Sequence, residues 1–196
     1  GFTGIGDGVW GIWPMGAAWL AHHMWEHYLF TKDENFLRES YEFIRETAIF
    51  FIDNAIKDKN GNFATVPSTV PEHEYVVKDE NGENRQVWIT MNCSMDIETI
   101  SMLMTIFEEA SKILGIDDDF TKEIEQKKDK IGIYEVGSQG QLLEYDKEYE
   151  EEDVHHRHVS HLYALYPADL ITTGKTKKLA DACRQTLEIR GDESTG

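Results

Sequence analysis

Positive charge, cysteine and long apolar runs are all scarce in this chain. Lys and Arg number 19 against 37 Asp and Glu, a formal net charge of -18. A surface for nucleic acid would have to overcome repulsion from the phosphates, so no nucleic-acid partner is expected. No stretch reaches the run of about 18 apolar residues that spans a membrane. The first residues lack the charged, apolar and small-residue zones of a signal peptide. Cys93 and Cys183 have neither metal nor redox spacing and read as small buried side chains rather than a disulfide. What is present suffices for a folded core: 196 residues, 40% hydrophobic and 11% aromatic, exclude a disordered chain. The chain opens at Gly1 in a loop-like GFTGIGDGVWG and stops at RGDESTG after a helix-like stretch, which suggests a piece of a larger polypeptide.

Periodicity supplies the organisation. From Pro14 to Thr31, residues Trp13, Ala17, Leu20, Met24 and Tyr28 recur at helical steps and predict a helix with one aromatic face. A second helix is expected from Glu34 to about Ile56, with Phe36, Tyr41, Ile44, Ala48, Phe51 and Ile52 inward, antiparallel to the first across the short TKDE. Residues 57–92 break the pattern. DKNGNF is a turn, ATVPSTVPEHEY is punctuated by proline, and KDENGENRQ is a polar tip between Tyr75, Val76, Val77 and Val87, Trp88, Ile89, which predicts a long loop carrying a hairpin. Loops this long within a compact domain are usually functional. A helix follows over 94–114, a weaker charged one over 120–130, then an acidic glycine-containing loop and HHRHVSHLYALYP, read as histidines entering a helix, and a last helix over 175–190. Five or six helices paired in sequence, with elaborate loops between pairs and no short repeat, suggest part of an (α/α) toroid.

Three places carry candidate chemistry. In AHHMWEHYLF, His23, Glu26 and His27 spell H-x-x-E-H, and the i, i+4 histidines share a helix face at a spacing that zinc could use. Packed, hydrogen-bonded side chains or substrate binding account for the same letters. His155, His156, Arg157, His158, Ser160 and His161 form a denser cluster, suited to metal, sugar hydroxyls or phosphate, or simply a solvated loop. Glu72, between Pro71 and His73 in a loop, is stiffly placed, as a general acid must be. Trp10, Trp13, Trp19, Trp25 and Trp88 would suit stacking on sugar rings, although core packing explains tryptophans equally well.

Taken together, IWPMGAAWLAHHMWEHYLFTKDENFL, GNFATVPSTVPEHEY, MDIETI, GQLLEYDKEYEEED, HRHVSHLYALYP and LEIRGDESTG, in this order over nearly the whole chain, closely resemble the catalytic domain of glycoside hydrolase family 95, whose founding activity is 1,2-α-L-fucosidase. The resemblance implies an all-α (α/α)6 barrel, a six-hairpin toroid. Residues 1–196 would form a partial barrel with long inserted loops and a hairpin, completed by the remainder of the parent polypeptide. It implies inverting hydrolysis of terminal α-1,2-linked L-fucose on an oligosaccharide or glycan, with α-L-galactosidase a close alternative and a non-catalytic carbohydrate-binding or structural module the rival from another class. The general acid falls on Glu72, and substrate-binding roles on Glu26, His27, His156, Arg157, His158, His161 and Trp13. The family's water-activating asparagines and aspartate fall outside this chain, so the isolated 196 residues are expected to be inactive. No cofactor and no metal are implied, H-x-x-E-H becomes coincidental, and a secreted or periplasmic location follows family habit. The chain departs from typical members with His73 where they have Asn after the acid, and with Ala17 in a G-G-A-W stretch.

Overall fold

A computed structural model describes residues 13–58, 60–131 and 134–193. Trp10 therefore lies outside the described residues. They divide into two compact units. One contains Pro14–Thr65 and Ile97–Gly132, and the other the described parts of Gly1–Trp13, Val66–Asp96 and Ile133–Gly196.

The first unit is helical. Helix α1 (Gly16–Thr31) begins just after Pro14 and ends where Lys32 takes a left-handed φ of 56° and its N–H bonds the Tyr28 carbonyl at 2.7 Å. Asp33 then caps α2 (Glu34–Asn54), its Oδ1 accepting from the N–H groups of Asn35 at 2.9 Å and Phe36 at 3.1 Å. One residue stops a helix and the next starts another, so α2 packs back on α1 as a hairpin. The expected inner face of α2 is largely correct: Tyr41, Ile44, Ala48, Phe51 and Ile52 are buried, together with Leu37. The periodic face expected on α1 is buried only in part. Met15, Ala18, Ala21, His22 and Tyr28 are buried, while Ala17 and Leu20 are exposed and Met24 is half-buried. The reason is that α1 is apolar on nearly every side, Trp19, Leu29 and Phe30 being exposed too, so periodicity has no polar face to steer by.

Helix α3 (Ser94–Leu114) is buried on most sides, with Ile97, Ile100, Met102, Leu103, Met104, Ile106, Phe107 and Ala110 inside and Met95 half-buried. Tyr41 and Ser111 share a 2.8 Å hydrogen bond, Tyr41 stacks on Phe107, and Phe107 meets the edge of Phe120. Asp118 and Thr121 form a capping box at the start of α4 (Asp119–Lys127), whose Ile124 is fully buried. Each such apolar side chain contributes about 1.5–3 kcal/mol by burial. Beside them β1 (Ile56–Lys57) and β2 (Phe63–Ala64) close a turn on Asp58, in which Gly61 takes φ +84°.

In the second unit β3 (Ser68–Thr69) pairs with β6 (Ile89–Thr90), while β4 (Tyr75–Lys78) lies between β5 (Asn84–Val87) and β7 (Glu150–Glu151). The β4–β5 hairpin is the expected one, in register Tyr75 to Val87. Its tip repeats the Asp58 turn. Asp79 Oδ1 accepts from Asn81 and Glu83 N–H, and Gly82 at φ +81° closes the chain where a side chain would be strained. Two cores follow. Val70, Tyr75, Cys93 and Tyr145 form one; Leu142, Leu162, Ala164, Ile171, Ala182 and Cys183 form the other, built on α5 (Lys177–Arg190). Both cysteines are free and buried. The helix expected to start in HHRHVSHLYALYP is absent: the stretch holds only a 3-10 turn at Ser160–Leu162. Side chains there take the backbone donors that a helix would use, Asp153 Oδ1 accepting from His155 N–H and His156 Nδ1 from His158 N–H.

Candidate active site

Glu72 sits at a bend. The preceding segment is pinned by Ser68, whose hydroxyl donates to Asp96 Oδ2 at 2.7 Å and accepts from Cys93 N–H at 2.9 Å. Glu72 itself has φ +56°, a left-handed conformation that costs a non-glycine residue about 1–3 kcal/mol unless its surroundings impose it. Its side chain is one-third exposed, at 33%. Arg157 donates to Oε2 in a close ion pair, and His158 Nε2 lies 3.0 Å from the same oxygen. Both contacts fall on Oε2, and Oε1 makes no hydrogen bond among the described residues.

Behind Glu72 lies a buried polar cluster. His73 Nδ1 is 2.8 Å from Glu144 Oε2, and its Nε2 is 3.1 Å from the Asp153 carbonyl. Glu144 Oε1 accepts from the Ser160 hydroxyl at 2.7 Å and lies 3.2 Å from His161 Nδ1. Arg190, at the end of α5, donates through Nη2 to Glu144 Oε2 at 2.7 Å, and through Nη1 to Glu151 Oε2 at 2.8 Å and the Val154 carbonyl at 2.8 Å. Burial alone would push the Glu144 carboxyl up, but the surrounding His161 and His73 hold it well below the usual carboxylate range. His156 stacks on His73 at 4.7 Å between ring centres, and burial lowers it from the ordinary 6.5. The neighbouring Tyr145 hydroxyl is pushed up, by burial first and then by Glu144.

Of the residues singled out in the sequence, Glu72, His156, Arg157, His158 and His161 therefore come together in one unit. Trp13 belongs to the same unit and is half-buried. Glu26 and His27 belong to the other, on α1, where Glu26 lies 3.7 Å from His22 and His27 packs on the Phe36 ring at 4.0 Å. His23 and His27 do not join any third metal-ligating side chain among the described residues. Among the described residues, the group close enough to share an ion is His73, Glu144 and Glu151. Arg190 already bridges its two carboxylates and supplies the positive charge they call for.

Sequence reasoning missed Glu144 and Arg190, and marked His73 only as a departure beside the acid. A signal did exist for the first: Glu144 is the one charged residue in Leu142-Leu143-Glu144-Tyr145, where an alternating strand would leave it on the surface, yet all four are buried.

The model of the glycosyl hydrolase family 95 catalytic domain matches residues 1–196, the whole chain. The chain belongs to glycoside hydrolase family 95. Among curated relatives, it is 36% identical to alpha-L-fucosidase 2 of Arabidopsis thaliana over 193 residues, covering 97% of this chain and 22% of that protein. It is 30% identical to the "Probable alpha-fucosidase A" of Aspergillus niger (strain ATCC MYA-4892 / CBS 513.88 / FGSC A1513), covering 100% of this chain and 25% of that protein. The family 95 chain thus spans about a quarter or less of the curated relatives it matches.

Proposed function

We propose that the protein to which this chain belongs is a glycoside hydrolase that removes terminal α-1,2-linked L-fucose from oligosaccharides or glycans, on an (α/α)6 barrel, with inversion and with Glu72 as the general acid. The fucosidase names of both relatives support the sugar. The observation that carries the assignment is the fixed bend at Glu72 with both donors gathered on Oε2.

In this reading Oε1 delivers its proton to the glycosidic oxygen as the bond from that oxygen to the anomeric carbon breaks. The carboxylate left behind is met by Arg157 and His158, already in place on Oε2, so the negative charge forms against preorganised donors. Water attacks the opposite face, which requires the water-activating groups to stand roughly 6.5–9.5 Å from the acid; these belong to the remainder of the polypeptide. Arg157 and His158 are exposed enough to reach sugar hydroxyls as well.

The test is sugar release from 2'-fucosyllactose by the full-length protein, with the anomer followed by proton NMR and Glu72→Gln run alongside. Initial release of β-L-fucose, lost in the variant, is expected. Initial release of the α anomer would overturn inversion, and faster release from an L-galactoside would overturn the preference for fucose.

A further inference from the structure

We infer that Glu144 is a positioning residue for the acid: a buried carboxylate that ties together the two loops meeting at Glu72. This rests on the reading of Glu72 as the acid. Both routes to Glu72 pass through Glu144. Along the chain, His73 is the next residue after Glu72, and its ring is gripped at Nδ1 by Glu144 Oε2 and at Nε2 by the Asp153 carbonyl. A ring held at both nitrogens is restrained from turning, which anchors the chain directly after the left-handed Glu72. Across space, Glu144 Oε1 holds Ser160 and faces His161, which fixes the segment carrying Arg157 and His158. His156, stacked on His73, accepts from the His158 N–H and so joins the two routes.

The charges are consistent with this role. Both nitrogens of His73 face acceptors, the Glu144 carboxylate and the Asp153 carbonyl. The Arg190 guanidinium lies against both the Glu144 and the Glu151 carboxylates inside this buried cluster, where an unpaired charge would be costly. Glu144 touches neither Glu72 nor solvent. Its effect on the reaction is the placement of Glu72 Oε1, and a misplacement of about 1 Å can cost about 100-fold in rate.

Leaving-group dependence separates positioning of the acid from loss of structure. Fluoride departs with little help from an acid, whereas a sugar alcohol needs the proton. In the full-length protein, Glu144→Gln is expected to lower kcat on 2'-fucosyllactose about 100-fold, with KM little changed, and to lower kcat on α-L-fucosyl fluoride several-fold at most. Equal losses on both substrates, or none on either, would overturn the inference. Ser160→Ala, which removes one donor from Glu144 and leaves the ion pairs in place, should show the same contrast on a smaller scale if Glu144→Gln does not fold. An equal loss on both substrates in Ser160→Ala would likewise overturn it. Glu72→Gln is the control: a leaving-group contrast there without one in Glu144→Gln sinks the positioning role alone, whereas no contrast in Glu72→Gln sinks the acid assignment.

Discussion

Two histidine-rich stretches, AHHMWEH and HHRHVSH, are written in nearly the same letters and do different physical work. In the first a regular helix decides everything. His23 and His27 are exposed on α1, and His22 is buried with Glu26 at 3.7 Å. In the second the backbone is irregular, and the side chains form the structure themselves: His156 stacks on His73, His158 reaches Glu72, and His161 turns inward to Glu144. A histidine on a helix is placed by the helix; a histidine in a loop can hold the loop in place.

That contrast is sharpened first at its strongest point. Arg190→Ala strips the cation from Glu144 and Glu151 and should cost the full-length protein about 3–5 kcal/mol, read as a large fall in denaturation midpoint. A loss under 1 kcal/mol would mean that the buried cluster contributes little to holding the loops. Acid should act on the same cluster. Because the Glu144 carboxyl in the fold lies well below its ordinary 4.5, the unfolded chain takes up that proton first. The resulting stability is fully present above about pH 4.5 and is lost as the pH falls toward the folded value. His156 acts in the same direction at higher pH, since its folded value lies below 6.5 and stability begins to fall as pH drops through 6.5. Denaturation midpoints between pH 7 and 3 should therefore decline more steeply for the parent than for Glu144→Gln, and parallel curves would contradict this. The smallest effects belong to α1: His23→Ala should change stability by no more than about 0.5 kcal/mol, and a chelator should leave the melting temperature unchanged. A chelator-dependent melt that His23→Ala abolishes would erase the contrast.

The same difference explains what could be read in the sequence. Helix α3 and the hairpin tips were legible because local chemistry decides them: α3 has a long apolar period, and Asp79 and Gly82 make a turn whatever surrounds them. The inner face of α1 was not legible, because a helix apolar on most sides gives no direction. Glu72, proposed as the acid, was singled out by its stiff neighbours and by the family resemblance. Glu144 and Arg190 were not, because they are 46 residues apart in sequence and meet only when α5 packs beside Leu142, where Thr186 Oγ1 accepts from the Leu142 N–H at 3.0 Å. Ion pairs formed across such separations leave no local period to detect.

The central claim is that Glu72, held by the second of these stretches, donates the proton. Steady-state kinetics of full-length Glu72→Gln on 2'-fucosyllactose test it most directly. A fall in kcat of about 100- to 10,000-fold with KM within a few-fold of the parent is the predicted result. Turnover within a few-fold of the parent would contradict it and move the acid to another carboxylate.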